Sequence, residues 1–170
     1  MVILHIQPVI NMIKLINAYP YIEETKELFS EYTDMLIEGD SKFKEYLEIQ
    51  NYDAELNNLE DKYGLPYGRL YLIYYNNNLA GCIGLRKIDE ATCELKRLYV
   101  KPQFRKNGIG DFLVKKIIAD AKEIGYAKMR LDTLPFLKSA ERLYRKNGFY
   151  DIPCYNNSPM DNSIYMQLDL

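Results

Sequence analysis

The chain has no tryptophan, a single histidine and only three cysteines in 170 residues. One histidine, His5, argues against a His-based metal site, so no metal is expected. Cys82, Cys93 and Cys154 form no Cys-x-x-Cys pair, and an odd number spread this way argues against a disulfide framework. No run approaches the roughly 18 apolar residues that a membrane span requires. The opening MVILHIQPVI is apolar, but it carries no basic leader or small-residue cleavage site and is cut by Pro8. It reads as a first strand rather than a signal peptide, and the expected location is the cytoplasm.

What is present is the balance of a soluble globular protein, with 48% hydrophobic and 27% charged residues. The length fits a single domain spanning residues 1–170. Sixteen tyrosines beside no tryptophan are read as AT-rich codon usage and carry little functional information. The net charge of -2 conceals an asymmetry: residues 1–80 hold 6 Lys and Arg against 13 Asp and Glu, and residues 81–170 hold 16 against 11. That split suits a cationic partner for the first half and an anionic one for the second, although two ordinary solvated surfaces explain it equally.

Periodicity divides the chain in two. Ile22, Leu28, Phe29, Tyr32, Met35 and Leu36 recur at helical spacing, and a second helical stretch, FKEYLEIQNYDAELNNLEDKYG, is expected to break near Gln50. Both are acidic and read as a lid-like pair bordering a groove, or simply as solvated helix faces. From Arg69 the period becomes that of strands: RLYLIYYN, a turn at Asn76 to Asn78, LAGCIGLRKI, a turn at DEA, and TCELKRLYV. A helix then runs from Ile109 to a stop at Gly125, followed by the strand YAKMRLDT and a short helix ended by Gly148. FYDIPCY and SIYMQLDL read as two last strands. The connection from LKRLYV through the long helix to KMRLDT is a βαβ unit, which places those strands side by side and parallel. The expected fold is therefore α+β (mixed α/β): a central twisted mixed sheet of about six to seven strands with helices on both faces.

The most informative stretch is YVKPQFRKNGIGDFLVKK, residues 99–116. A helix start leaves N–H groups unpaired at the positive end of its dipole, an anion site where backbone can be approached closely. Gly108 and Gly110 would remove Cβ atoms that block the approach, and Arg105 and Lys106 add charge. Phosphate is the expected ligand. A P-loop is excluded because Asp111 and Phe112 follow Gly110, and a dinucleotide fingerprint is excluded because position 113 is Leu. The pattern left is Arg105-x-x-Gly108-x-Gly110, directly after a strand.

In this form ELKRLYVKPQFRKNGIGDFLVKKIIADA resembles the acetyl-CoA-binding segment of the GNAT superfamily of N-acetyltransferases. AERLYRKNGFYDI, residues 140–152, resembles the same family's downstream helix and strand. The resemblance is clearest over residues 69–170 and loose before that. It implies acetyl-CoA as cosubstrate, its pyrophosphate on the N–H groups of Arg105, Lys106, Asn107, Gly108, Ile109, Gly110 and Asp111. It further implies that the pantetheine arm pairs with main-chain groups of Leu98, Tyr99 and Val100 where two parallel strands splay. Tyr144 matches the tyrosine that can protonate the departing thiolate; a phenol near pKa 10 can donate to a thiolate near 8.5. Glu94, eleven residues before Arg105, is the candidate base for the attacking ammonium, with a structural ion pair as the other reading. Strand alternation sets Glu94 on the face of Lys96 and Leu98. The sequence departs from the family at Leu137, where many members carry an Asn that helps hold the pantetheine; the hydroxyl of Thr133 or Ser139 is the expected replacement.

The implied function is acetyl transfer from acetyl-CoA to a primary amine by direct attack in a ternary complex, with a small-molecule acceptor favoured over a protein. Cys82 and Cys93 lie in apolar strand contexts, which makes an acyl-cysteine route the minor alternative. A rival of another class is a non-catalytic acyl-CoA sensing module. Nucleic acid is not an expected partner, since one phosphate ligand accounts for the basic residues of the second half. A homodimer through an exposed sheet edge is the expected assembly.

Overall fold

The computed structural model describes residues 12–170, so the strand expected within MVILHIQPVI lies outside the described residues. The elements run β1 (Ile13–Asn17), α1 (Ile22–Gly39), α2 (Phe43–Ile49), α3 (Tyr52–Asn57), α4 (Leu59–Tyr63), β2 (Arg69–Tyr75), β3 (Asn78–Lys87) and β4 (Thr92–Val100). They continue as α5 (Ile109–Ile124), β5 (Lys128–Thr133), α6 (Lys138–Lys146), β6 (Tyr150–Asp151) and β7 (Ile164–Asp169). One seven-stranded sheet results, in the order β1-β2-β3-β4-β5-β7-β6. β4 and β5 pair in parallel and every other neighbouring pair is antiparallel. The mixed sheet and the parallel crossover are as the sequence predicts.

Local chemistry accounts for the turns. Asn76 and Asn77 take positive φ, 49° and 65°, the primed geometry that joins tightly twisted strands. Gly125, at φ 103°, ends α5 and returns its N–H to the Ala121 and Lys122 carbonyls. Two expectations change. The second helical stretch breaks at Asn58 as well as near Gln50, giving three short helices. FYDIPCY yields only the two-residue β6, because Pro153 has no N–H to extend the ladder.

Helices cover both faces. On one, Leu113, Val114, Ile117 and Ala121 of α5 pack with Ile73, Ile83, Leu85, Leu95 and Met129 of the sheet, and α6 adds Tyr144. On the other, Leu28 and Phe29 of α1, with Leu59 and Tyr63 of α4, meet Leu70, Leu72, Cys82 and Tyr99. Each fully buried aliphatic side chain here contributes about 1.5–3 kcal/mol. A third cluster, with Leu36, Phe43, Leu47, Leu134 and Met160, ties the end of α1 and α2 to the loop after β5. No helix is long and apolar enough to cross a membrane, among the described residues.

Candidate active site

The parallel pair holds over three steps only, Thr92 with Lys128, Cys93 with Met129 and Glu94 with Arg130. Beyond that point β4 stays on β3 as far as Val100 and β5 stays on β7 as far as Thr133, so the two central strands part. A bulge in β4 turns it away: Gly84 faces Lys96 and Cys82 faces Tyr99, leaving Ile83 opposite both Arg97 and Leu98. Arg97 takes φ 57°, a conformation costing a non-glycine residue about 1–2 kcal/mol. Its guanidinium offsets that cost. It donates to both Glu55 oxygens at 2.9 and 2.7 Å and lies 5.6 and 5.2 Å from the Phe29 and Tyr52 rings.

The bulge overturns one expectation. Alternation sets Leu98 on the face of Glu94 and Lys96, but the extra residue shifts it, and Leu98 packs on the α5 side while Tyr99 joins the α1 side.

The gap between the parted strands is a cavity lined by Tyr32, Lys96, Leu98, Asp132, Thr133, Leu134, Leu137 and Tyr144. α6 delivers Tyr144 into it, buried, with its ring 5.8 Å from that of Phe149. Burial first, then the nearby Tyr32 and Asp132, push the Tyr144 phenol well above its ordinary value. It is therefore a proton-bearing donor at neutral pH.

After β4 the chain turns through Pro102–Phe104 to the start of α5. Gly108 caps the helix at φ 74°, no side chain caps it, and the first helical bond runs from Phe112 N–H to the Gly108 carbonyl at 3.0 Å. The N–H groups from Lys106 to Asp111 donate to no described backbone carbonyl. They lie together at the positive end of the helix dipole, the arrangement of N–H groups that suits an anion. The two glycines have different surroundings within the protein. A Cβ at Gly108 would meet nothing within 4 Å, so its backbone angle is what demands glycine, whereas a Cβ at Gly110 would sit 3.1 Å from Leu143 of α6. Arg105 folds back to give its Nε–H to the Val100 carbonyl at 2.9 Å, and Asn107 Nδ2 donates to the Phe104 carbonyl at 3.0 Å. Asp111 pairs with Lys115 and Lys146 at 2.6 and 3.3 Å and accepts from Asn147, which turns its carboxylate toward α6.

A second groove adjoins the gap and shares Tyr46, Gln50 and Lys96 with it. Glu94 lines this groove, 1% exposed, ion-paired with Arg86 and accepting from Tyr155 Oη at 2.8 Å. Asp132 accepts from Tyr46 Oη and from Asn156 Nδ2 at 3.3 Å, with Lys96 Nζ 3.9 Å away. Burial would raise the Asp132 carboxyl, but the Lys96 ammonium and these two donors outweigh it and hold it below the usual carboxylate range.

Residues 23–149 match the acetyltransferase (GNAT) family. The chain belongs to that family. An N-acetyltransferase of Dictyostelium discoideum, itself uncharacterized, is 30% identical over 94% of this chain and 99% of its own length. An acetyltransferase structure from Streptococcus agalactiae, 22% identical, superposes with a TM-score of 0.73 over 94% of this chain and 98% of that one, which shows the shared fold. A GNAT acetyltransferase from Elizabethkingia anophelis with acetyl-CoA bound is 31% identical, with a TM-score of 0.52 over 61% of this chain and 76% of that one.

For a GNAT member the placement of the expected residues is uneven. Leu98, Thr133 and Tyr144 line the gap, the Arg105 to Asp111 backbone lies after β4, and Glu94 lies in the adjoining groove. Ser139 stands apart; it is exposed and accepts from Arg142 at 3.2 Å, so of the two hydroxyls proposed to replace the Asn only Thr133 reaches the gap. Leu137, at the Asn position, is an apolar wall of that gap. Sequence reasoning missed Lys96, Asp132, Tyr46, Asn156 and Tyr155 as a group. No local signal marked the group, since Lys96 and Asp132 stand in strands that carry other charges, Glu94 and Arg97 in β4 and Lys128 and Arg130 in β5. Among the described residues no group of three or more His, Cys, Asp and Glu side chains could hold a metal ion.

Proposed function

We propose that this GNAT member transfers the acetyl group of acetyl-CoA to the primary amine of a small molecule, by direct attack in a ternary complex. The observation that carries the reading is the gap between β4 and β5, which contains Tyr144 and adjoins the groove of Glu94. The pyrophosphate would take the free N–H groups at the start of α5, with Lys106 and Arg105 nearby, and the pantetheine would lie along the unpaired edge of β4. The structure with acetyl-CoA bound among similar proteins supports the same cosubstrate.

The chemistry assigned to the chain is a proton relay around one displacement. Glu94, directly or through water, takes the proton of the arriving ammonium, and the freed amine attacks the thioester carbonyl. The N–C bond forms, the C–S bond breaks and the electron pair leaves on sulfur, which takes up the second proton shed by the attacking nitrogen, directly or through water, to leave an amide and the free thiol. A phenol is ordinarily a weaker acid than a thiol and burial raises Tyr144 further, so full transfer to the thiolate is uphill. Its part is a hydrogen bond that strengthens as charge develops on sulfur.

Thermal unfolding with and without acetyl-CoA tests the cosubstrate. At about 100 times its dissociation constant it should stabilise by about 2.7 kcal/mol, a shift of several degrees. Thiol release with an amine panel then tests transfer. Binding without turnover of any amine would sink the enzyme reading in favour of a sensing module, and no shift at all would sink both.

A further inference from the structure

Lys96 is the least explained charge in the molecule. Its side chain is 9% exposed, it lines both the gap and the adjoining groove, and it donates no hydrogen bond to a described residue. Its counter-charge, Asp132 Oδ1, is 3.9 Å away, beyond the 2.7–2.9 Å of a charge-assisted hydrogen bond. Its Nζ is not among the fully enclosed polar atoms, so it faces the open space of the junction, where its three donors call for acceptors. The carboxylates around it are already committed. Glu94 is held by Arg86 and Tyr155, and Glu55 by Arg97, Lys62 and Tyr63. Asp132 is half committed, with one oxygen occupied by Tyr46 and Asn156 and the other facing Lys96.

The junction of gap and groove thus presents a cation and an anion 3.9 Å apart, both nearly buried and neither fully bonded. We infer that the acceptor is a zwitterionic amino acid, its carboxylate taken by the Lys96 ammonium and its amine received beside Asp132. This rests on the acetyl-transfer reading and narrows its substrate class. Lys96 lies where the thioester and the acceptor must meet, so a carboxylate anchored there has to be within a few bonds of the reacting amine, as in an α-amino acid. A polyamine would set its own ammonium against Lys96 with no anion to offer. Of the acidic residues in α1 to α4, only Glu55 and Asp61 line the groove, so these helices supply little free negative charge to draw a polycation. Acetylation removes the cation and keeps the carboxylate, which leaves the product facing Asp132 without a counter-charge and favours its release.

The test is a steady-state panel of α-amino acids, each beside the amine lacking its carboxylate and beside its neutral carboxamide, with saturating acetyl-CoA. The parent should favour the amino acids. In Lys96→Gln the ratio of kcat/KM between amino acid and decarboxylated amine should collapse by about tenfold to a hundredfold, chiefly through KM, and Lys96→Arg should restore part of it. Equal use of amino acids, amines and carboxamides by the parent would overturn the inference, and that comparison stands even if Lys96→Gln does not fold. An equal fall in kcat for every acceptor would also overturn it, placing Lys96 on the thioester instead. Acetyl-CoA binding with turnover of amines but of no amino acid sinks this inference alone. A chain that does not bind acetyl-CoA sinks the acetyl-transfer reading beneath it.

Discussion

Arg97 and Glu55, 42 positions apart in the chain, meet as a two-pronged ion pair at 2.9 and 2.7 Å with side chains 3% and 2% exposed. The pair fastens α3 to the one residue of β4 that stands at positive φ, and so couples the helices before β2 to the bulge that opens the sheet. Glu55 also accepts from Tyr63 Oη at 2.6 Å and from Lys62 Nζ at 2.7 Å. Glu55→Ala would leave a buried guanidinium without its partner, which costs about 3–5 kcal/mol. The melting temperature should fall on the order of 10 °C. A drop of less than 2 °C in calorimetry would show that the bulge holds without this pair.

The same carboxylate gives a pH signature. Burial would raise it, but the bonds and charge of Arg97, aided by Lys62, bring Glu55 down to about 2, below its unfolded value of about 4.3. A depressed carboxylate contributes stability that is whole above the unfolded value and is lost as pH falls through the folded one. Between about pH 5 and pH 2 the parent should therefore lose stability more steeply than Glu55→Gln. Denaturant titrations across that window decide it, and parallel slopes for the two proteins would refute the assignment.

Lys62 moves the other way. Burial, with Lys96 and Arg97 adding to it and Glu55 opposing, brings its ammonium down to about 8. At pH 8 about half of it carries a free lone pair, against well under one in a hundred for an ordinary lysine near 10.4. Labelling with an amine-reactive ester, read by peptide mass spectrometry, should show a rise in Lys62 modification centred near pH 8. A rise only above pH 10 would mean that the groove is wetter than its geometry indicates.

How much of this was legible depends on range. The βαβ crossover, the helix stop at Gly125 and the turn at Asn76 and Asn77 follow from local pattern and backbone preference, and all three are found. The gap could be expected only from the family likeness, because its cause is an Arg in a left-handed conformation in mid-strand, where a glycine would have given a signal. That same residue defeats simple alternation and puts Leu98 on the unexpected face. The polar group around Asp132 was not legible for another reason. Tyr46 and Asn156 lie 86 and 24 positions from it, and no local rule pairs such residues.

The glycines at the start of α5 separate conformational from ligand effects. Gly108→Ala places a Cβ in open space at φ 74°, so the apo protein should lose only the backbone cost, about 1–2 kcal/mol. Gly110→Ala presses on Leu143 at 3.1 Å but gains helix propensity of up to about 1 kcal/mol, and should be close to neutral. If the pyrophosphate occupies that open space, Gly108→Ala will weaken acetyl-CoA binding at least tenfold, measured calorimetrically, while Gly110→Ala changes it less. Equal affinities in parent and Gly108→Ala would move the phosphate elsewhere.

Tyr144 offers the cleanest separation of binding from chemistry. Its hydroxyl makes no hydrogen bond to a described residue, so Tyr144→Phe removes a buried polar group without stranding a partner. Stability should change by less than about 0.5 kcal/mol and the acetyl-CoA dissociation constant by less than threefold. The rate should fall because the developing thiolate loses its donor, by about a hundredfold or more if the donation is part of the chemical step. The loss should appear in kcat and kcat/KM equally, the mark of an interaction made only in the transition state. A KM effect with kcat intact would make Tyr144 a wall of the binding gap and leave the departing sulfur to be stabilised by backbone alone.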